Sequence, residues 1–211
     1  QLHIDVCAGS EKAVAATKSY TAELLALYLL VDALRDGDGS AARGLVDATS
    51  RVVSGAEQVR SVAARFAGVE RLVVTGRGYS YPTAREAALK LMETSYVAAQ
   101  AFSGADLLHG PMAMLQDGSA VIAIAAGGVS GQAIAPVLDR LVELGTNLVV
   151  VGNALDTDTA VGRLALPAGL PEELSPIVEI VPLQMLAREL AVIGGHDPDA
   201  PRGLRKITET W

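Results

Sequence analysis

The chain has 211 residues, half of them hydrophobic, 19 % charged and 4 % aromatic, so its core must be built from Ala, Val, Leu and Ile. That composition excludes a disordered chain, which carries few apolar residues and high charge. The net charge of −7 comes with no basic run, which leaves nucleic-acid binding without an electrostatic footprint.

Residues 2–6 alternate apolar and polar side chains, as a short strand does, and Gly9 and Ser10 break the pattern. From Glu11 to Leu34 there is no Gly or Pro, which predicts one long helix. Gly37 and Gly39, between acidic residues, form the clearest linker. Residues 41–67 predict a second helical stretch with weak points at Gly44 and Gly55. The β-branched run 71–75 then predicts a strand closed by Gly76-Arg77-Gly78, followed by a helix over 81–94. A mixed run at 96–102 leads to Ser103-Gly104 and a short helical segment. Apolar runs at 120–125 and 147–151 flank a helix over 131–144, with a last short strand at 164–166. A helix over 172–193 closes the domain, and residues 197–203 form a polar, proline-containing tail leading to Arg205 and Lys206.

Strands of this kind alternating with helices imply an α/β fold, a parallel sheet of about five strands with helices on both faces. The longest strongly apolar helical run, 24–31, is far short of the roughly 20 residues a membrane span needs, and no signal-peptide pattern is present. A single cysteine fits a reducing cytoplasm and excludes a disulfide framework. The chain opens on Gln1, directly in a predicted strand, which gives the expectation of a fragment of a longer protein.

Gly76 and Gly78 stand at the carboxyl end of a strand, where open α/β sheets bind ligands. Either they make a tight turn or they let the backbone approach a small ligand. A dinucleotide fingerprint is excluded, because Tyr81 stands where its third glycine belongs. Glu86, Lys90 and Glu93 fall in one stripe of the next helix, opposite Ala84, Ala87, Ala88 and Leu91. The stripe is either a solvated ion ladder or a base, Glu93, tuned by Lys90. His109 precedes Gly110-Pro111, which stops a helix and leaves the imidazole at an element end, available for proton transfer. Lys206 is either an ordinary terminal charge or an amine able to form a Schiff base with a sugar carbonyl. The three histidines and Cys7 have no metal-ligand spacing, Gln132 breaks a G-x-S-x-G around Ser130, and no P-loop is present.

Taken in order, these blocks resemble the double sugar isomerase (SIS) family. The stretch Glu11-x-x-Val14-Ala15-Ala16-Thr17-Lys18 is similar to the end of the first SIS domain in the isomerase half of glucosamine-6-phosphate synthase. Gly76-Arg77-Gly78-x-x-Tyr81-Pro82 with Glu86, Lys90 and Glu93 resembles the loop and helix that begin the second. Leu108-His109-Gly110-Pro111 and Pro201-Arg202-Gly203-Leu204-x-Lys206 match as well.

The resemblance implies a three-layer αβα domain with a flavodoxin-like five-stranded parallel sheet over 40–195. It also implies the end of a preceding SIS domain over 1–39 and a tail over 196–211. By resemblance, Glu93 moves the proton between C1 and C2, with Lys90 beside it. His109 opens the sugar ring, reaching a neighbouring subunit's site in the synthase, and Lys206 bonds the open-chain ketose. Val14 lines the sugar pocket, with Gly76, Gly78 and Glu86 as further substrate-side residues. No metal or organic cofactor is implied. The expected partners are a sugar phosphate and a second copy of the chain, with Ala26, Leu29 and Leu30 as candidate contacts, and neither nucleic acid nor membrane.

The family's Ser/Thr-rich phosphate loop has no counterpart in these residues, so most of the phosphate site is expected elsewhere. The wording of 102–111 and of the tail favours an amino-sugar-phosphate deaminase/isomerase. The isomerase half of glutamine–fructose-6-phosphate aminotransferase and a non-catalytic sugar-phosphate sensor are the alternatives.

Overall fold

The computed structural model describes residues 3–153 and 162–206. Five parallel strands form one sheet in the order β2-β1-β3-β4-β5. They are β1 (Arg71–Gly76), β2 (Ala98–Ser103), β3 (Ala120–Ile124), β4 (Asn147–Val151) and β5 (Gly162–Leu164). The helices are α1 (Lys18–Leu34), α2 (Leu45–Ser54), α3 (Ala56–Arg65), α4 (Ser80–Ser95), α5 (Gly104–Leu108), α6 (Val129–Gln132), α7 (Ala135–Glu143) and α8 (Ser175–Ile193).

The strand sequences explain the three layers. Successive side chains point to opposite faces, and here both faces are apolar. Val74, Ile122, Ile124, Val149 and Val151 join the side covered by α2, α3, α4 and α8. Val73, Val121, Ala123, Leu148 and Val150 join the opposite side, under α5 and α7. The register places Val74 beside Ile122 and Val73 beside Val121, so each layer is continuous across strands. Burying a side chain such as Ile122 contributes about 1.5–3 kcal/mol.

The expected α/β architecture and five-stranded parallel sheet are present. Several boundaries differ. Residues 3–6 are not a strand: the alternation is there, but no strand of the sheet lies beside it to complete a ladder. Glu11–Thr17 is not helical, because Glu11 accepts from the Thr17 and Ser19 N–H groups and so starts α1 at Lys18. The stretch 41–67 divides into a 3-10 turn, α2 and α3, with the break at Gly55. The predicted helix 131–144 is α6 and α7, the strand at 164–166 is shifted to Gly162–Leu164, and the first residues of the 172–193 helix are a 3-10 turn.

Candidate active site

The small residues of α4 determine its placement. Ala84, Ala87, Ala88 and Leu91 are buried and let the helix lie closely against β1, β2 and α8. The stripe beside them is not a solvated ladder. Lys90 is only 5 % exposed. Its ammonium lies 2.6 Å from Glu93 Oε2 and 3.4 Å from Glu86 Oε1. One buried cation thus serves two partly covered carboxylates. The Lys90 ammonium donates to Glu93 Oε2, and no hydrogen bond to Glu93 Oε1 is present among the described residues. Burial raises the Glu86 carboxyl above its ordinary value, with Lys90 pulling the other way. Tyr20 of α1 is pushed up to about 12 by burial and by Glu86 and Glu179, so its phenol stays neutral.

A cavity of about 320 Å³ opens beside this cluster. Lys90 and Thr94 form its α4 wall. Val181, Gln184, Met185, Ala187 and Arg188 of α8 form a second wall. Ala13, Ala15 and Thr17 with Pro198 and Asp199 complete it. The lining is apolar with a few convergent polar groups, the usual make-up of a small-molecule site.

The 13–17 segment is shaped by Glu11. Burial would raise this carboxyl, but the N–H groups of Ser19 and Thr17 and the Lys18 ammonium outweigh it and bring it to about 2. Lys18 also donates to Ser10 O at 2.7 Å. The tail closes onto the loop so formed. Val14 N–H donates to Asp199 O at 3.0 Å. Lys206 Nζ donates to Ala13 O at 2.6 Å, with Val14 O at 3.4 Å.

Glu86, Lys90 and Glu93 are therefore together, and Lys206 and Val14 meet at the segment that borders the same cavity. Gly76 and Gly78 precede α4, along which the rise from Ser80 is about 9 Å to Glu86 and about 20 Å to Glu93. Both glycines are closely packed: a Cβ at Gly76 would lie 2.7 Å from Ser80 O, and one at Gly78, where φ is +50°, would meet the Ser130 side chain. That crowding fits the tight-turn reading. His109 is apart. It caps α5 at the carboxyl end of β2, is exposed, and donates its N–H to Asp106 O. Glu93 lies near the amino end of β2, a strand length of about 17 Å away. Gln184 and Arg188 of α8 also line the cavity; their i, i+4 spacing on a helix that otherwise carries only Ser175, Glu179 and Glu189 as polar residues is the signal in the sequence that could have found them. Among the described residues no group of three or more His, Cys, Asp or Glu could hold a metal, and no helix is long and apolar enough to cross a membrane.

The five-stranded parallel sheet between two helical layers is the architecture of a SIS domain. Residues 65–194 match the SIS domain family, and the chain belongs to it. Among curated proteins it is 36 % identical over 206 residues to a glutamine–fructose-6-phosphate aminotransferase of Pyrococcus horikoshii, covering 94 % of this chain and 34 % of that protein. The aminotransferase of Thermococcus kodakarensis is also 36 % identical, over 94 % of this chain and 35 % of its own length. The chain thus spans about a third of the length of these relatives. Among solved structures, the C-terminal domain of the Francisella tularensis aminotransferase superposes with a TM-score of 0.83 at 27 % identity, covering 92 % of this chain and 58 % of that one. A glucosamine-6-phosphate deaminase from Thermotoga maritima gives 0.74 at 25 % identity, over 93 % and 58 %.

Proposed function

We propose that the chain is the second half of an amino-sugar-phosphate isomerase, with residues 1–39 ending one SIS domain, 40–195 forming the next and 196–211 serving as an active-site tail. The observation that carries this reading is the buried Lys90 ammonium held 2.6 Å from Glu93, beside a cavity bordered by the segment on which Lys206 docks.

In this reading Glu93 takes the proton from C1 of an open-chain ketose derivative and returns it to C2, giving the aldose through an enediol-like intermediate. Lys90 steadies the charge that passes between carboxylate and sugar. The Lys206 amine adds to the ketose carbonyl with loss of water. His109 opens the ring by moving the anomeric hydroxyl proton to the ring oxygen. Because the sheet separates it from Glu93 of its own chain, it acts on the site of a second copy. Leu29 and Leu30, exposed on α1, are candidate contacts between copies.

The aminotransferase relatives support the direction in which nitrogen is added to fructose 6-phosphate, and we place that direction first. The deaminase direction is the second reading, supported by the Thermotoga maritima neighbour.

The test is proton exchange. The full-length protein is incubated in D2O with fructose 6-phosphate and, separately, with glucosamine 6-phosphate, while deuterium at C1 and C2 is followed by NMR. Incorporation that disappears in Glu93→Gln supports the reading. Binding of either sugar with no exchange in the wild type would replace it with a sensor. Ammonia release from glucosamine 6-phosphate without glutamine-dependent synthesis would reverse the order of the two directions.

A further inference from the structure

Tyr96 follows the last residue of α4 and takes a left-handed backbone, φ 58°. Glycine or asparagine usually fills such a helix end, and a bulky side chain there persists only where its surroundings hold it. What holds it is the C-terminal tail. Arg202 N–H donates to Tyr96 Oη at 2.8 Å. The Arg202 guanidinium lies over the same ring, 4.4 Å from its centroid. The His196 ring packs edge-on at 4.5 Å. One side chain therefore grips both the backbone and the side chain of Arg202, and Pro201 before it is buried.

The tail is fastened on both sides of this grip. Before it, Asp199 O accepts from Val14 N–H. After it, Lys206 reaches Ala13 O. Pro198 and Asp199 meanwhile wall the cavity that Lys90 lines. Tyr96 also stands one helical turn beyond Glu93, so the end of a single helix carries the carboxylate and the tail anchor.

We propose that Tyr96 is a positioning residue: it docks the C-terminal tail against the end of α4 and so sets where the Lys206 amine stands relative to Glu93. This rests on the sugar-phosphate reading above only for the role of Lys206. The docking stands on its own contacts.

The test uses the full-length protein and two readouts. The first is amide hydrogen exchange across residues 198–206. Tyr96→Phe keeps the ring and removes the acceptor, and is expected to speed exchange at Arg202 by about fivefold, with β1 and β3 unchanged. Arg202→Ala keeps its own N–H and removes the cation over the ring, and is expected to give about a two- to fivefold loss of tail protection. It also serves as the informative variant should Tyr96→Phe loosen the sheet.

The second readout is reductive trapping with fructose 6-phosphate and cyanoborohydride. The Lys206 amine adds to the C2 carbonyl, water leaves, and hydride from the reagent converts the C=N bond to a stable secondary amine located by peptide mass. Trapping at Lys206 is expected to slow at least threefold in Tyr96→Phe. Unchanged tail exchange in both variants would overturn the docking. Faster exchange with undiminished trapping would overturn the positioning role. No trapping at Lys206 in the wild type would remove that role and count against the sugar-phosphate reading, while exchange would still decide the docking.

Discussion

Glu179 of α8 is joined to Ser80 of α4: its Oε1 accepts from the Ser80 hydroxyl at 3.0 Å and from that of Ser175 at 2.6 Å. The residue is fully buried, and Oε2 has no hydrogen-bond partner among the described residues. Burial raises the carboxyl, against the Ser175 and Ser80 hydroxyls that favour its ionised form.

The folded state therefore holds the Glu179 proton to higher pH than the unfolded chain does. The stability this group contributes is full below the ordinary carboxylate range and declines as pH rises through that range towards the raised folded value. Glu179→Gln cannot ionise. Its melting temperature is expected to gain on the wild type as pH rises from 4 to 8, which thermal unfolding across that range checks. Parallel curves would show that Glu179 ionises as freely in the fold as in water.

Glu11 gives the opposite sign. Its folded carboxyl is lowered to about 2, so its contribution is full above the ordinary carboxylate range and is lost as pH falls through that range towards 2. Glu11→Ala leaves the Thr17 and Ser19 N–H groups without this acceptor and is expected to cost about 1–2 kcal/mol, as a lost helix cap does. Urea unfolding at pH 7 checks the magnitude. Hydrogen exchange confined to residues 11–19 checks that the loss is local.

Breaking the buried ion cluster costs more. Lys90→Met leaves Glu86 and Glu93 without their shared cation and is expected to destabilise the fold by about 3–5 kcal/mol. Glu93→Gln keeps a hydrogen-bonding partner for Lys90. It is expected to cost under about 1.5 kcal/mol while lowering turnover about 10²–10⁴-fold, the range for a general base. Sugar-phosphate binding within a few fold of wild type separates lost chemistry from lost binding.

The proposed action of His109 on the site of a second copy predicts complementation between variants of a dimer. His109→Ala and Glu93→Gln proteins are each expected to be inactive towards the cyclic sugar. Unfolded and refolded together, they are expected to recover up to about a quarter of wild-type turnover per site, because random pairing gives one dimer in two with mixed chains and one intact site in each. No recovery in mixed dimers confirmed by mass would place both residues in one chain's site.

The layers were legible because β-branched runs separated by helical periods leave few alternatives for residues such as Val74 and Ile122. The α4 stripe was legible as well, since Glu86, Lys90 and Glu93 share a face by spacing alone. Spacing could not show that Lys90 is buried. That depends on elements distant in sequence: α8 packs on α4, and residues of the 13–17 segment meet Lys90 across the cavity. The alternation at residues 2–6 misled for a related reason: a strand needs a neighbour, and a local pattern does not report whether one is there.

The amino-acid sequence by itself determined the fold class, the family blocks and the chemical types available, because periodicity and short-range spacing are properties of neighbouring residues. Only the tertiary structure decided that Lys206 docks on Ala13, that α4 and α5 pack into different core layers of the sheet, and that a Cβ at Gly76 would crowd Ser80. Those outcomes depend on which elements pack together across the chain, and burial and long-range hydrogen bonds set them.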